Sequence, residues 1–376
     1  MHFELSEENR MIQKLAREVA ETYIAPSVQE RDEEERFDRA LFDKVASYGF
    51  QGIHYQDQYG GAGGDYLSYI IATEEIARVD VSLCIAIGGG GLGGFPIHSY
   101  GTEEQKQKYL RPLVEGTALG GFALTEPGAG SDASAQQTTA VLEGDEWVLN
   151  GTKCFISNYA DIYLVIAVTD RSKGLKGLSC FIVEKGTPGF TMGKKEHKMG
   201  LRSAVTTEII LQDVRVPKAN LLGKEGDAFK YCMQTLDVGR IGCAAQALGL
   251  AQAALEHSIK YAKERAQFGK PIAANQGISF MLADMATKVE AARLLTYQAA
   301  WLKQNGKPFG KQAAMAKKFT TDIAMEVTTD AVQIFGGYGY SREYPVEKLM
   351  RDAKVHQIFE GTNQIQRIVI AGNLLK

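Results

Sequence analysis

The hydrophobic period of this chain changes twice along its length, and those two changes limit the folds open to it. From residue 6 to about 115 apolar residues recur at helical spacing. Ser6 can cap a first helix whose apolar face is Met11, Ile12, Leu15, Val19 and Tyr23, and Leu41, Phe42 and Val45 repeat the pattern. A third helical run spans 66–87, and Thr102 with Gln105 forms a capping box ahead of Tyr109 and Leu110. Near residue 117 the character changes to short apolar runs. Segments 138–142 and 146–149 flank Glu143-Gly144-Asp145 as a hairpin, and runs at 162–168, 178–183 and 207–211 follow before Pro217. The helical period then returns over 240–266, 276–304, 311–335 and 345–359.

Helices, then strands, then helices is not the alternation that builds a parallel α/β sheet. The expected class is therefore α+β. A helical N-terminal domain is expected over 1–116, a middle antiparallel β-barrel or sandwich over 117–224, and a C-terminal helical bundle over 225–376.

Several function classes are disfavoured by composition. A charged fraction of 23% beside a hydrophobic fraction of 45% fits neither a disordered nor a membrane protein. The net charge of −3 and the lack of a basic run speak against nucleic acid as a partner. Cys84, Cys154, Cys180, Cys232 and Cys243 are odd in number and form no C-x-x-C pair, which favours reduced thiols and a cytoplasmic location. The first residues read as neither a signal nor a transit peptide, and no apolar run has the length of a membrane span. His2, His54, His98, His197, His257 and His356 show no metal-ligand spacing, so no metal is expected. Gly89, Gly91 and Gly94 satisfy G-x-G-x-x-G, but they follow a helical run rather than a strand, which rejects a dinucleotide fingerprint. Missing side chains at 88–91 instead leave room for close helix packing or for a ligand.

Six stretches can carry chemistry. At 122–132, Phe122, Leu124, Thr125, Gly130 and Ser131 lie in a strand end and a Pro/Gly-rich turn, where hydroxyls and backbone donors can meet a polar ring or phosphate, or simply form a turn. Phe155, Ile156 and Ser157 set an aromatic and a hydroxyl at another strand end. Arg265 and Phe268 close a helix, as a phosphate clamp and a stacking ring or as an ordinary C-terminal cation and its neighbour. At 333–340 a helix stops in glycines, and Asp237 and Arg240 pair within a bundle helix. Finally, Glu360 follows Ile358 and Phe359 at a helix end. Gly361 permits a positive φ there, and Thr362 or Asn363 can cap the next helix. Glu360 is either a solvated helix-end acid or a partly desolvated one whose raised pKa suits a proton acceptor.

Taken in order, ALTEPGAGSDA at 123–133, ERAQFGKPI at 264–272, QIFGGYGY at 333–340 and IFEGTNQIQR at 358–367 resemble the acyl-CoA dehydrogenase family, most closely its short-chain or butyryl-CoA branch. The resemblance covers essentially the whole chain. It implies FAD as cofactor, an acyl-CoA thioester as substrate, an electron-transfer flavoprotein as partner, and a homotetramer arranged as a dimer of dimers. By resemblance, 122–131 and Phe155, Ile156 and Ser157 surround the flavin ring, with the hydroxyls of Thr125 and Ser157 bonded to it. Phe155 and Ser157 stand where many relatives have tryptophan and threonine.

Further positions carry over in the same way. Arg265, Phe268, Gln276, Gln333, Gly336 and Gly337 match positions that hold the pyrophosphate and adenine of a neighbouring subunit's FAD. Thr362 and Gln364 match cofactor contacts beside the base, and Ser131, Asp237, Arg240 and Gly361 match acyl-CoA contacts. Glu360 then removes the pro-R α-proton while the β-hydride passes to the flavin, giving a trans-2-enoyl-CoA. Branches that carry the base on the helix of Asp237 have it at the position of Gly239, which cannot serve. The 88–91 glycines match the end of the acyl pocket and lead to the expectation of a wider cavity than butyryl needs. The same pattern also suits an enoyl-CoA reductase in an electron-bifurcating complex or an acyl-CoA oxidase, and far less a non-enzymatic DNA-binding relative.

Overall fold

Among the described residues seven α-helices precede the sheet: α1 (Glu7–Val19), α2 (Val28–Glu33), α3 (Arg39–Ala46), α4 (Tyr66–Leu92), α5 (Gly94–Tyr100), α6 (Glu103–Gln105) and α7 (Arg111–Val114). The computed structural model describes residues 4–157 and 159–376. The surroundings of Gly89, Gly90 and Gly91, and with them the expected widening of an acyl cavity, lie outside the described residues, as does Asn158. Both expected caps form. Ser6 and Asn9 exchange hydrogen bonds at the start of α1, and Thr102 does the same with Gln105. The Gln105 amide also donates to the carbonyls of Ala219 (2.7 Å) and Leu221 (3.0 Å), which ties this helix to the end of the sheet.

Helix α4 is buried along most of its length, and Asp80 breaks it with φ −151° and ψ 101°. The carboxylate of Asp80 accepts from Ser82 N at 3.0 Å, as an N-cap does for a new helix. Its other oxygen takes the fully buried Arg31 guanidinium at 2.6 Å. The second half of α4 is thereby aimed separately from the first, and it ends at Leu92 against the C-terminal bundle.

The middle strands are β1 (Gly120–Ala123), β2 (Thr139–Glu143), β3 (Glu146–Ser157), β4 (Ile162–Val168), β5 (Leu178–Glu184), β6 (Phe190–Lys195), β7 (Thr206–Pro217) and β8 (Leu221–Leu222). They form one eight-stranded sheet in the order β6-β7-β3-β2-β4-β5-β8, with β1 beside β4. Pairing is mainly antiparallel, as expected. Two parallel pairings, β1 with β4 and β2 with β4, arise because the chain leaves β1, turns through β2 and β3, and returns along β1 in the same direction. Strand β4 is apolar without alternation because both its faces are buried: Tyr163, Val165 and Ala167 enter one core, Ile162, Leu164, Ile166 and Val168 the other.

Strand β3 runs eight residues beyond the expected 149, to Ser157. Its register against β7 shifts at Leu149/Gly151 and again at Lys153/Ile156. Such bulges bend a strand and re-aim its side chains. Here the second one turns out Phe155, which is 64% exposed at φ +55°.

After the sheet come α8 (Ala228–Glu264), a small hairpin of β9 (Ala266–Gln267) and β10 (Lys270–Pro271), then α9 (Gln276–Gln304), α10 (Gly310–Phe335), α11 (Val346–His356) and α12 (Asn363–Leu374). Alanine, glycine and cysteine through the middle of α8 let neighbours approach closely. A Cβ at Gly249 would stand 2.5 Å from the Glu74 carbonyl of α4.

Candidate active site

Helix α11 ends at His356, and the chain reverses before α12 through two consecutive left-handed residues, Glu360 at φ +56° and Gly361 at φ +82°. Glycine takes that conformation freely; glutamate does not, so the surroundings must hold it. Gln366 supplies one clamp, donating to the carbonyls of Glu360 (3.1 Å) and Gly361 (2.8 Å). Lys317 of α10 supplies another, donating to the Gly361 carbonyl and to Asn363 Oδ1, both at 2.9 Å. Of the two expected caps it is Thr362 that caps the start of α12, accepting from Ile365 N at 3.3 Å. Neither Lys317 nor Gln366 was singled out from sequence as a site residue.

This turn lays the Glu360 side chain over α8. A Cβ at Gly239 would lie 2.6 Å from Glu360 Oε2 and 2.9 Å from Leu92 Cδ2, so glycine there leaves the room that the carboxylate fills. Oε2 is enclosed and has no hydrogen-bond partner among the described residues. Desolvation raises the carboxyl to about 7, against the opposing charges of Lys317 and Arg240. The group can therefore hold or release a proton near neutral pH. Of the two sequence readings, the desolvated acid is the one the geometry supports.

Arg240 is buried and bonded to Asp237, and its Nε has no partner among the described residues. Burial lowers its pKa, while Asp237 and Glu360 act in the opposite sense. Burial raises the half-buried Asp237 and Arg240 opposes it. Glu360, Gly361, Asp237 and Arg240 are thus brought together, with Thr362 alongside in the same turn.

A second group sits on the sheet. The loop after β1 closes on itself where Glu126 and Ala129 exchange backbone hydrogen bonds. It is pinned from within: Lys153, fully buried, donates to Glu126 Oε1 (2.7 Å), Gln136 Oε1 (2.6 Å) and the Leu124 carbonyl (3.3 Å). Glu126 also accepts from Gln137 N and Thr138 N, at 2.6 and 3.0 Å. Burial pushes the Glu126 carboxyl up, but the charge and hydrogen bond of Lys153 outweigh it and keep the group below its ordinary range. Cys154 N donates to the Thr125 carbonyl at 2.9 Å, so this loop and the bulge carrying Phe155 are one unit. Leu124 and Ile156 are buried in its core, Phe122, Thr125 and Ser157 are half-buried, and Gly130 and Ser131 are exposed.

The third group lies at the end of the bundle where α8 and α10 stop. Tyr261 stacks on Phe335 with centroids 4.0 Å apart, and the Arg265 guanidinium lies 5.4 Å from the centre of the Tyr338 ring. Phe268, at the tip of the β9–β10 hairpin, is 97% exposed at φ +52°. Gln276, Gln333, Gly336 and Gly337 are exposed there, and Arg265 makes no ion pair among the described residues. Within one chain no hydrogen bond or ion pair joins this group to the Glu360 turn among the described residues. Gln364, on the first turn of α12, is exposed.

Sequence comparison matches residues 6–117 to the acyl-CoA dehydrogenase N-terminal domain, 121–214 to the middle domain and 226–375 to the C-terminal domain of that family. The chain belongs to the acyl-CoA dehydrogenase family. It is an enzyme of that class, with the family's helical, sheet and helical domains. The solved structure of butyryl-CoA dehydrogenase from Megasphaera elsdenii is 54% identical, covers 100% of both chains and superposes with a TM-score of 0.99. A chain of the solved structure "Electron transferring flavoprotein of Acidaminococcus fermentans: Towards a mechanism of flavin-based electron bifurcation" is 57% identical over 100% of both chains, TM-score 0.99. The caffeyl-CoA reductase-Etf complex subunit CarC of Acetobacterium woodii is 50% identical over 99% of each chain.

Proposed function

We propose that this acyl-CoA dehydrogenase converts a short-chain acyl-CoA into its trans-2-enoyl-CoA with Glu360 as the base. The observation that carries the assignment is the enclosed, unpartnered Oε2 of Glu360, held near neutrality beside Gly239. Removing a thioester α-proton turns that carboxylate into the neutral acid, the form its enclosure favours. The backbone N–H of Glu360 makes no hydrogen bond among the described residues. It is free to donate to the thioester carbonyl, where charge develops as the proton leaves.

FAD is the cofactor, and when bound it supplies the two-electron acceptor for the Cα–Cβ bond. The residues present fit it. An exposed aromatic face is held out by a bulge at Phe155, and hydroxyls stand at Thr125, Ser131 and Ser157. A Cβ at Gly128, Gly130, Gly336 or Gly337 would meet nothing within 4 Å, so ligand atoms can approach the backbone. Arg265, free of ion pairs among the described residues, suits a pyrophosphate. Phe268, Gln276 and Gln333 share that end of the bundle, far in connectivity from Glu360, which supports a site completed by a second copy and a homotetramer built as a dimer of dimers. Thr362 and Gln364 flank the base on the cofactor side, and Ser131, Asp237, Arg240 and Gly361 serve the acyl-CoA.

The domain limits follow the same reading: 1–116, 117–224 and 225–376. No helix among the described residues is long and apolar enough to cross a membrane. The printed names of two relatives include an electron-transfer flavoprotein, which supports one as the electron acceptor, and the buried free thiols support a cytoplasmic location. One of those names, the CarC reductase subunit, favours a second reading in which the same site runs as an enoyl-CoA reductase.

The test is the flavin absorbance of purified protein mixed anaerobically with butyryl-CoA. Bleaching in the native chain and none in Glu360→Gln supports the assignment, and bleaching in both overturns the role of Glu360. Reoxidation by electron-transfer flavoprotein but not by air separates the dehydrogenase from an oxidase. Faster turnover of crotonyl-CoA with reduced flavoprotein would favour the reductase.

A further inference from the structure

Lys317 is fully buried, yet no carboxylate lies within ion-pair distance of it among the described residues. A lone ammonium in such a place is costly unless something nearby requires it. Its partners are neutral oxygens: the Gly361 carbonyl and Asn363 Oδ1. Both belong to the turn that carries Glu360. Asn363 is itself fixed, its amide donating to Asp322 Oδ1 at 2.7 Å and lying 2.9 Å from Thr321 Oγ1, so the pair Lys317 and Asn363 joins the turn rigidly to α10.

We propose that Lys317 is the positioning residue of this reaction, holding the left-handed turn at Glu360 and Gly361 and supplying the buried positive charge that keeps the base ionised. The proposal rests on Glu360 being the base. The geometry separates two contributions. The hydrogen bond to Gly361 opposes relaxation of a backbone that glutamate does not adopt by preference. The charge stabilises a carboxylate otherwise stranded without a partner. Other groups facing Glu360 are Arg240 and Cys243 of α8. Arg240 is already committed to Asp237, and the Cys243 thiol is pushed up to about 12 by burial and stays neutral. Asp322 reaches Lys317 through Asn363, and His356, at the end of α11, is held neutral by burial near 3. Lys317, whose own pKa burial lowers, is therefore the cation of that shell with no carboxylate at ion-pair distance among the described residues.

The test uses holoenzyme of Lys317→Met, Lys317→Gln and Lys317→Arg, with Glu360→Gln as reference. Removing the charge should move the acidic limb of kcat/KM upward by about one pH unit, a roughly fivefold loss at pH 7 that approaches about tenfold at lower pH and is largely regained at high pH. The Gln variant retains a donor for Gly361 and should lose less kcat than Met. Arg keeps the charge and should leave the limb in place. A second readout needs no turnover: the infrared C=O band of protonated Glu360, assigned by its loss in Glu360→Gln, should persist to higher pH in the Met and Gln variants. Equal losses at all pH values, with band and limb unmoved, would show Lys317 to be merely structural and overturn the proposal. Should Met fail to fold, the Gln variant carries the same comparison. Near-normal turnover in Glu360→Gln would instead sink the underlying assignment of the base.

Discussion

Gly239 and the carboxylate of Glu360 occupy each other's space: a Cβ on Gly239 would stand 2.6 Å from Oε2. The atom it would strike is the far end of a flexible side chain, so the helix need not yield. Gly239→Ala should leave stability unchanged or raise it by about 0.5–1 kcal/mol, the usual gain for alanine over glycine in a helix. The carboxylate would be displaced by a fraction of an ångström to an ångström, and kcat should fall roughly 10- to 100-fold. Urea unfolding beside steady-state kinetics checks both. A variant that loses stability but keeps kcat would contradict this geometry.

The pH behaviour of Glu360 follows from its enclosure. Its carboxyl is raised from 4.5 to about 7, so it must lose a proton before it can accept one from substrate. The kcat/KM of free enzyme should fall about tenfold per pH unit below that value. The same shift acts on stability. Between pH 4.5 and 7 the folded chain binds a proton that the unfolded chain has released. Stability present at low pH is therefore lost as pH rises through this window, by up to roughly 3 kcal/mol. Glu360→Gln should be progressively more stable than the native chain from pH 5 to 8, while losing turnover by orders of magnitude. Melting curves across that range test the linkage; a constant difference between the two proteins would refute it.

Much of this site is legible in sequence where a residue's local conformation is its own doing. Gly361 announces a left-handed residue, Thr362 a cap, and the change from a period of 3.6 to short strands gives the order of domains. Features set by distant parts of the chain are not legible. Phe155 and Glu360 take positive φ, a conformation their side chains disfavour and that tertiary contacts impose, whereas Phe268 takes it in the two-residue hairpin turn it forms with Gly269. The bulge that turns Phe155 outward depends on register with β7, which the run 146–149 does not encode by itself. Lys317 follows Ala316 and precedes Lys318 in what reads as a helix surface, and Lys153 reads as the polar side of an alternating strand. Both are buried because their partners arrive from elsewhere, Lys317 beneath the Glu360 turn and Lys153 beneath the loop of Glu126.

That second lysine invites its own experiment. Lys153 and Glu126 are both buried and paired, so removing Lys153 leaves a buried carboxylate without its counter-charge, held only by the backbone donors of Gln137 and Thr138. Lys153→Met should cost roughly 3–5 kcal/mol, and the double variant Lys153→Met with Glu126→Leu should recover part of that loss. Because the pair pins the loop bearing Thr125 and the bulge bearing Phe155, FAD content should drop in the single variant even where the chain remains folded. Absorbance ratios after gel filtration measure it, and full FAD retention would show that the loop holds without its clamp.

The separation of Glu360 from Arg265 within one chain leads to a complementation experiment. If a site takes its base from one chain and Arg265 from the next, Glu360→Gln and Arg265→Ala damage different halves of it. Each variant alone should be nearly inactive, the second through weak FAD binding. In a mixed pair one site carries both lesions and its counterpart carries neither. Co-expressing the two variants with distinct tags, and purifying on both tags in turn, should therefore restore activity to about half that of native enzyme per pair. Among the described residues Arg265 has no ion-pair partner to lose, and it lies at an exposed end of the bundle, so its substitution should change unfolding by no more than about 0.5 kcal/mol. Mixed pairs as inactive as their parents would place all the determinants of a site in a single chain.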